Sequence, residues 1–295
     1  MKPARFHYHR AHSVASAVAT LAELGEDAKL IAGGQSLVAM MSFRLARPAH
    51  LVDVTGLHEL SYLTRDAAGL HVGALTTHRQ VEMGRAGLTA DYAVIADAMR
   101  WIGHLPIRTR GTVGGSIAHA DATAEWCLLA VLLDAQIVVE SVRGRRTVAA
   151  SEFFFGFYAT ALEPDEMIVE ICFPRPAPHA ALAEHAQRQG DFAVVAVAVD
   201  LDLDGEQVRG GRVALSGVGP VPVRVPAAEA VLTDAGRFDS ALVTACAEAA
   251  AASVELDDDV AAGGAEYVRG LVRTLLASAL PEAALRQTAR QEVLQ

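Results

Sequence analysis

The chain has 295 residues, 52% of them apolar and 5% aromatic, with 35 acidic against 25 basic side chains and a formal charge of −10. That length suits about two domains by a soft prior of roughly 150 residues each, and the acidic balance argues against nucleic acid, which selects basic surfaces. No run approaches the ~20 consecutive apolar residues that span a bilayer, and the N-terminus lacks the apolar core of a signal peptide, so no transmembrane segment and a cytoplasmic location are expected.

In chain order, His12 to Gly25 reads as a helix, with Ser13 as N-cap, Val14, Ala17, Val18 and Leu21 at helical spacing, and Gly25 as the stop. Lys29 to Ala32 is a short strand that runs into the glycine pair Gly33-Gly34. Ser36 then caps a helix through about Leu45, and His50 to Val54 is the next strand. Leu70 to Ala74 is a strand, Thr76 or Thr77 caps a helix, and Tyr92 to Ile102 is a helix ending near Gly103. A second glycine pair, Gly114-Gly115, follows. Ala124 to Leu133 reads as a buried helix, and Gln136 to Ser141 as a strand. A hairpin turn at Arg143-Gly144-Arg145 leads into Thr147 to Ala149, and Met167 to Phe173 is another strand. The stiff run Pro174-Arg175-Pro176-Ala177-Pro178 marks the best domain boundary. Beyond it, Ala193 to Leu203 and Arg212 to Val218 flank an Asp204-Gly205 turn, and alanine-rich helices cover Ser240 to Ser253 and Glu266 to Leu280. The expected division is 1–56, 57–175 and 176–295.

The chemistry concentrates at the two glycine pairs, Ala32-Gly33-Gly34-Gln35-Ser36 and Thr112-Val113-Gly114-Gly115-Ser116. Glycine admits φ > 0 and close backbone approach, and bared N–H groups there can cradle an anion. Two such turns suit a ligand with two linked phosphates and a long body. The first lies in a strand–glycine–helix–strand order, which puts amides at a helix start. Neither a Gly-x-Gly-x-x-Gly fingerprint nor a P-loop is present. The Gly-x-Ser-x-Gly and His-Glu-x-x-His signatures of hydrolases and zinc proteases are missing as well.

Other candidates each have a bland reading. His7, His9 and His12 have no carboxylate or cysteine nearby in sequence, so no metal site is expected. Cys127, Cys172 and Cys246 stand far apart, which suits small buried hydrophobes rather than an iron–sulfur or zinc site. His119-Ala120-Asp121 offers a histidine–carboxylate pair for acid–base work, with a hydrogen-bonded loop as the preferred alternative. Glu125 could accept bonds from ligand hydroxyls, or be a solvated residue favoured at a helix start. Arg108 and Arg110 flank the second turn, either as counter-charges to phosphate or as solvent-facing residues.

Taken together, the chain resembles the FAD-binding medium subunits of molybdenum hydroxylases, the group that includes carbon monoxide, nicotine and caffeine dehydrogenases. The matching stretches are Ala32 to Leu37, Arg44 to Pro48, Ile107 to Ser116, His119 to Asp121, Gly190 to Ala193 and Ala265 to Tyr267, in the family's order from end to end. The resemblance implies an α+β fold: a two-part FAD-binding domain of the vanillyl-alcohol-oxidase/PCMH type, then a C-terminal α+β domain with a small antiparallel sheet and helices. It implies FAD between the first two units, its pyrophosphate on Ala32, Gly33, Gly34, Gln35, Ser36 and Leu37 and on Thr112, Val113, Gly114, Gly115 and Ser116. Ile102 matches a position on the adenine side. Glu125 matches an acidic position at the hydroxyl-rich link, and Asp121 falls in the same neighbourhood. Ile168 matches an aliphatic position near the rings, and Phe192 an aromatic one near the isoalloxazine. The chain departs from the family at Ile102, at Ala122 where proline is common, and at Leu105-Pro106 in place of Pro-Gln.

The same resemblance implies an electron-transfer subunit with no catalytic acid or base of its own. A large partner would hold the molybdenum cofactor and a small partner two [2Fe–2S] clusters, assembled as a dimer of heterotrimers. The competing expectations are a self-sufficient FAD-dependent oxidoreductase acting on its own small substrate, and a scaffold subunit that has lost its flavin.

Overall fold

The computed structural model describes residues 2–84, 88, 90–256 and 263–293, with side chains up to Arg286. The N-terminal strands β1 (His7–Arg10), β2 (Ala28–Ile31) and β3 (His50–Asp53) form a parallel sheet in the order β1-β3-β2. Parallel neighbours need crossovers rather than hairpins. Helix α1 (Val14–Leu24) supplies one and α2 (Leu37–Ser42) the other. Ser13 caps α1 through a reciprocal box with Ser16, and Gly25 ends it at φ 58°, as the sequence predicts. The second helix is shorter than predicted. It stops at Ser42, and Arg44 turns the chain at φ 60°. Ser36 occupies the N-cap position, yet its side chain makes no capping bond because the residue is itself helical in φ and ψ.

The second unit is an antiparallel sheet of β4 (Leu63–Asp66), β5 (Gly69–Gly73), β6 (Gln136–Ser141), β7 (Gly144–Ala149) and β10 (Met167–Phe173), in the order β4-β5-β10-β6-β7. A small hairpin, β8 (Phe154–Gly156) and β9 (Ala159–Thr160), precedes β10. Helices α3 (His78–Met83), α4 (Ala93–Ala98), α6 (Val113–His119) and α7 (Glu125–Leu132) share a core with this sheet, and the short α5 (Leu105–Arg108) lies against α3. Of the two threonines considered, Thr77 caps α3, in a box with Gln80. The helix predicted over Tyr92 to Ile102 is regular only over α4. Arg108 donates to the carbonyls of Ile102 and Gly103, and Gly103 turns at φ 49°, so the chain leaves the helix early. In α7 every residue from Trp126 to Leu132 is buried, which explains why it carries no amphipathic pattern.

The third sheet runs β11 (Ala180–Ala186), β12 (Ala193–Asp204), β13 (Gln207–Ser216) and β14 (Val223–Arg224), in sequential order and antiparallel. Alternation sorts its two faces. Val195, Val197, Val199, Val213 and Leu215 pack with helices α8 (Pro226–Thr233), α9 (Ser240–Ala252) and α10 (Ala265–Val293). Leu182, Ala196, Ala198 and Ala214 face the core of the second unit, and the small alanines of β12 and β13 let α7 lie close. The hairpin loop proper is Gly205-Glu206, one residue later than predicted, because Asp204 still pairs with Gln207. Helix α10 also continues past the predicted end, with Pro281 inside it. Leu280 and Ala283 extend its buried face, and that packing outweighs the bond that proline removes. The proline-rich link is itself anchored: Ala177 is buried and donates to the Asp91 carbonyl at 2.7 Å. All three cysteines are buried and free.

Candidate functional site

The first glycine turn leaves β2 at the carboxyl end of the parallel sheet, where open α/β sheets place ligands. Gly34 sits at φ 70°, in the left-handed region open to glycine at no steric cost. Gly33 is required for another reason: a Cβ there would lie 2.1 Å from the Arg110 carbonyl oxygen and 2.8 Å from the Gly111 Cα. The two glycine stretches therefore touch. The Gln35 side chain donates to the Gly33 carbonyl at 2.8 Å and braces the turn. None of the N–H groups of Gly33, Gly34, Gln35, Ser36 and Leu37 has a protein partner among the described residues. Of these residues Gly33, Gly34 and Gln35 border an open cavity of about 690 Å³, walled also by Tyr8, Val38, Asp53, Thr55 and Arg110, while Ser36 and Leu37 lie outside its wall.

Two charges of opposite sign stand in that wall. Arg110 is exposed and makes no ion pair among the described residues. Burial alone would raise the Asp53 pKa, but hydrogen bonds from the Tyr8 hydroxyl and from Thr55, whose N–H donates at 2.8 Å, outweigh it and hold the carboxylate below its usual range. The sequence reading missed Tyr8, Asp53 and Thr55. Their signal was positional, since Asp53 ends β3 beside β2, at the same edge of the sheet as Gly33.

The second glycine turn is built differently, and the expectation of bare amides fails there. Val113 N donates to the Thr76 carbonyl at 3.0 Å and Gly114 N to the Ala74 carbonyl at 2.9 Å. Gly115 N donates to the Thr112 hydroxyl at 3.1 Å, and Ser116 N to the Thr112 carbonyl at 3.0 Å. Thr112 thus caps α6, and the turn is fastened to the segment after β5. Gly114 serves this packing: a Cβ there would come within 2.6 Å of the Ala74 Cβ. Gly115 is exposed and Ser116 half-buried, so the turn presents a flat, side-chain-poor surface with one hydroxyl. Beneath it, Trp126 Nε1 donates to His78 Nδ1 at 3.0 Å. Burial pushes the His78 pKa down to about 4, and the ring is a neutral structural acceptor.

Arg108 and Arg110 part company. Arg108 is tied to Glu82 and to the carbonyls of Ile102 and Gly103, whereas Arg110 faces the cavity. His119 and Asp121 share no hydrogen bond. Asp121 instead accepts from Thr123 N at 2.9 Å, the Thr123 hydroxyl at 2.8 Å and the Tyr158 hydroxyl at 3.3 Å, so the loop-pinning reading holds. His119 stacks on Tyr158 with centroids 4.9 Å apart. Glu125 is no solvated helix-start residue: burial, with the Asp121 charge behind it, pushes its pKa up to about 7. Ile102 and Ile168 belong to the core and expose little surface. Phe192 is 69% exposed, on a loop whose Gly190, at φ 82°, packs against His104. Ile102, Asp121, Glu125, Ile168 and Phe192 all lie outside the cavity wall. Ile168 approaches the second turn through its neighbour Val169, whose carbonyl accepts from Ala74 N, while the Ala74 carbonyl accepts from Gly114 N. Among the described residues no group of histidine, cysteine and acidic side chains could hold a metal ion, and no helix is long and apolar enough to cross a membrane.

These features agree with what the chain is similar to. A family model described as the FAD binding domain in molybdopterin dehydrogenase matches residues 4–176, and one described as the CO dehydrogenase flavoprotein C-terminal domain matches 180–283. The chain is 36% identical to the 6-hydroxypseudooxynicotine dehydrogenase complex subunit alpha of Paenarthrobacter nicotinovorans, over 99% of each chain. It is also 36% identical to the carbon monoxide dehydrogenase medium chain of Hydrogenophaga pseudoflava, over 95% of this chain and 97% of that one. Carbon monoxide dehydrogenase from H. pseudoflava superposes with a TM-score of 0.90 at 38% identity, covering 97% of this chain and 99% of the other. Quinoline 2-oxidoreductase from Pseudomonas putida 86 gives 0.91 at 33%, with 97% and 99% covered. The chain belongs to the FAD-binding medium subunits of molybdenum hydroxylases, and is an oxidoreductase subunit by family and by fold.

Proposed function

We propose that this chain is the electron-transfer subunit of a multi-subunit molybdenum hydroxylase, taking electrons from [2Fe–2S] clusters of a small partner and passing them to an external acceptor. The observation that carries the reading is the run of unpartnered amides from Gly33 to Leu37, of which Gly33 to Gln35 stand with Arg110 at the edge of a 690 Å³ cavity. Unspent donors at a helix start with one free cation match a pyrophosphate, so the residues present fit the cofactor. FAD, when bound, supplies the capacity to accept electrons singly and release them in pairs.

The protein's part is to hold and orient. Ala32 to Leu37 and Arg110 would take the diphosphate through backbone and guanidinium donors. Thr112 to Ser116 would lie along the cofactor as a smooth surface, with Gly115 giving close approach and Ser116 a hydroxyl. Asp121 and Glu125 would face the hydroxyl-rich link. Ile102, Ile168 and Phe192 would border the ring systems, Phe192 from an exposed loop. The segments 1–56, 57–175 and 176–295 act as three structural units around that ligand. Substrate oxidation belongs to a large molybdenum-cofactor subunit, and the assembly is a cytoplasmic dimer of heterotrimers. Support comes from the relatives' names, which describe medium chains and lettered subunits of dehydrogenase complexes.

The test is to purify the chain within its native assembly and alone, then measure visible absorption, iron and molybdenum. Flavin with both metals in one complex is expected, with turnover of the organic substrate only by the whole. Full turnover by the yellow isolated chain would favour the self-sufficient oxidoreductase, and a colourless chain in a working complex would remove the reading.

A further inference from the structure

Polar groups without partners gather where α7 meets the third sheet. Glu184 of β11 stands opposite Ala196 of β12, which stands opposite Ser216 of β13. Residues directly opposite in antiparallel strands share a face, and this is the face that packs on α7. Glu184 is 7% exposed and its Oε2 has no partner; Ser216 is fully buried and its Oγ has none. The buried Trp101 Nε1 is also unpaired, and the adjacent Arg100 is the cation that acts on Glu184. Glu125, the first residue of α7, is the anion that acts on it. No salt bridge neutralises either carboxyl among the described residues. Buried polar groups are nearly always hydrogen-bonded, and each bare one is destabilising. Several at one junction call for a partner that the protein does not supply.

We propose that this junction is a hydroxyl-binding subsite in which Glu184, with Ser216 and Trp101 beside it, bonds the polyol part of the flavin dinucleotide alongside Glu125, making Glu184 a cofactor-positioning residue. The inference rests on the FAD reading above. Each hydroxyl of a polyol both donates and accepts, so successive hydroxyls along it can serve a carboxyl and a serine oxygen that stand two strands apart, about 10 Å. The unspent amides of the first glycine turn take the diphosphate, which leaves the hydroxyls to this end.

The test uses the full chain stripped of flavin and titrated with FAD, with FMN and ADP as competitors, in wild type and in Glu184→Gln, Glu184→Leu and Ser216→Ala. Glu184→Leu is expected to leave the thermal midpoint of the apoprotein unchanged or raised, because it removes an unsatisfied buried acid, and to weaken FAD at least tenfold. Glu184→Gln keeps FAD affinity within about threefold, since it preserves hydrogen bonding. Ser216→Ala, the variant least able to disturb folding, weakens FAD severalfold. A loss shared by FMN and not ADP assigns the ribityl chain, and the reverse assigns the ribose; either supports the subsite. Unchanged FAD affinity in both Glu184→Leu and Ser216→Ala would overturn it and leave ordered water as the occupant. A wild-type chain that binds no FAD would defeat the parent reading and this one with it, whereas wild-type binding with indifferent variants defeats this one alone.

Discussion

In Gly33–Ser36 the amides are left over, whereas from Val113 to Ser116 each is spent on Ala74, Thr76 or Thr112. The two strings share Gly-Gly and a nearby serine, yet the glycines answer to different constraints. Gly34 supplies a left-handed φ; Gly33 and Gly114 supply room for backbone of the same protein; Gly115 leaves room for the Thr112 hydroxyl that caps the helix, which a Cβ would meet at 2.7 Å. A glycine pair in a sequence thus signals close approach without saying to what. Only the hydrogen-bond account of the turn separates a site with spare donors from one that has used them in folding.

The harshest way to break this comparison is Gly114→Val. Its Cβ would meet the Ala74 Cβ at 2.6 Å and the Ala74 carbonyl at 2.8 Å, and backbone cannot rotate away. Overpacking by a methylene or two already costs about 1–3 kcal/mol where side chains can yield, so loss of soluble folded protein is expected here, flavin or no flavin. Thermal melting of the apoprotein checks it. A variant that melts like wild type and lacks only flavin would show that Gly114 faces the ligand after all.

The next effect sets the acid beside the first turn against the acids beyond the second. Asp53 is held ionised, so its contribution is present above the ordinary carboxylate range and is lost as pH falls through its depressed pKa. Glu125 and Glu184 behave oppositely. Burial raises them to about 7 and about 8, so the folded state holds protons that the unfolded state releases near pH 4.5, and stability declines as pH rises through 7 to 8. Around Glu184 the charges that oppose or favour this are Glu125 and Arg100, and around Glu125 it is Asp121. Apoprotein melting is expected to fall by several degrees between pH 5.5 and 8.5, using roughly 2–4 °C per kcal/mol for a chain of this size or a little smaller. Glu184→Leu should flatten that limb, and an unchanged slope would mean that water reaches the pair.

How far the sequence could reach follows the same division. Caps and strands written in local chemistry were legible: Ser13 with Gly25, Gln136–Ser141, Met167–Phe173. So was the family, because its motifs fall in order along the chain. What stayed hidden depends on distant backbone. Whether the Gly114 amide is free is decided by Ala74, forty residues earlier, and whether Gly33 tolerates a side chain is decided by Arg110. Glu184 carries no motif, and its isolation appears only when β11, β12 and α7 are brought together. The last helix, expected over Glu266 to Leu280, runs on through Pro281 because of packing that no local rule contains.

A milder test exchanges roles between the arginines. Arg110→Ala is expected to weaken FAD about tenfold, about 1.4 kcal/mol, with little effect on apoprotein melting. It should also reduce the salt dependence of binding, since an exposed charge acts through screened attraction. Arg108→Ala should do the reverse. It strips donors from the carbonyls of Ile102 and Gly103 and the partner from Glu82, lowering apoprotein stability by about 1–3 kcal/mol, while FAD affinity at fixed folded fraction stays near wild type. Fluorescence titration beside melting separates the two.

The smallest effect discriminates best, because it touches one hydroxyl in each turn. Thr112 caps α6 by accepting from Gly115 N, so Thr112→Ala should lower apoprotein stability by about 1 kcal/mol, the usual value of an N-cap. Ser36 stands at the equivalent position of α2 but makes no such bond, so Ser36→Ala should leave the apoprotein within a few tenths of a kcal/mol. With FAD present the order inverts. Ser36→Ala removes a hydroxyl from the edge that carries the unspent amides and lowers affinity severalfold, while Thr112→Ala frees the Gly115 amide at an exposed surface where water can satisfy it and changes affinity less. Equal loss of apoprotein stability in the two variants would mean that Ser36 caps its helix in solution, and the first turn would then have fewer donors to offer than its geometry provides.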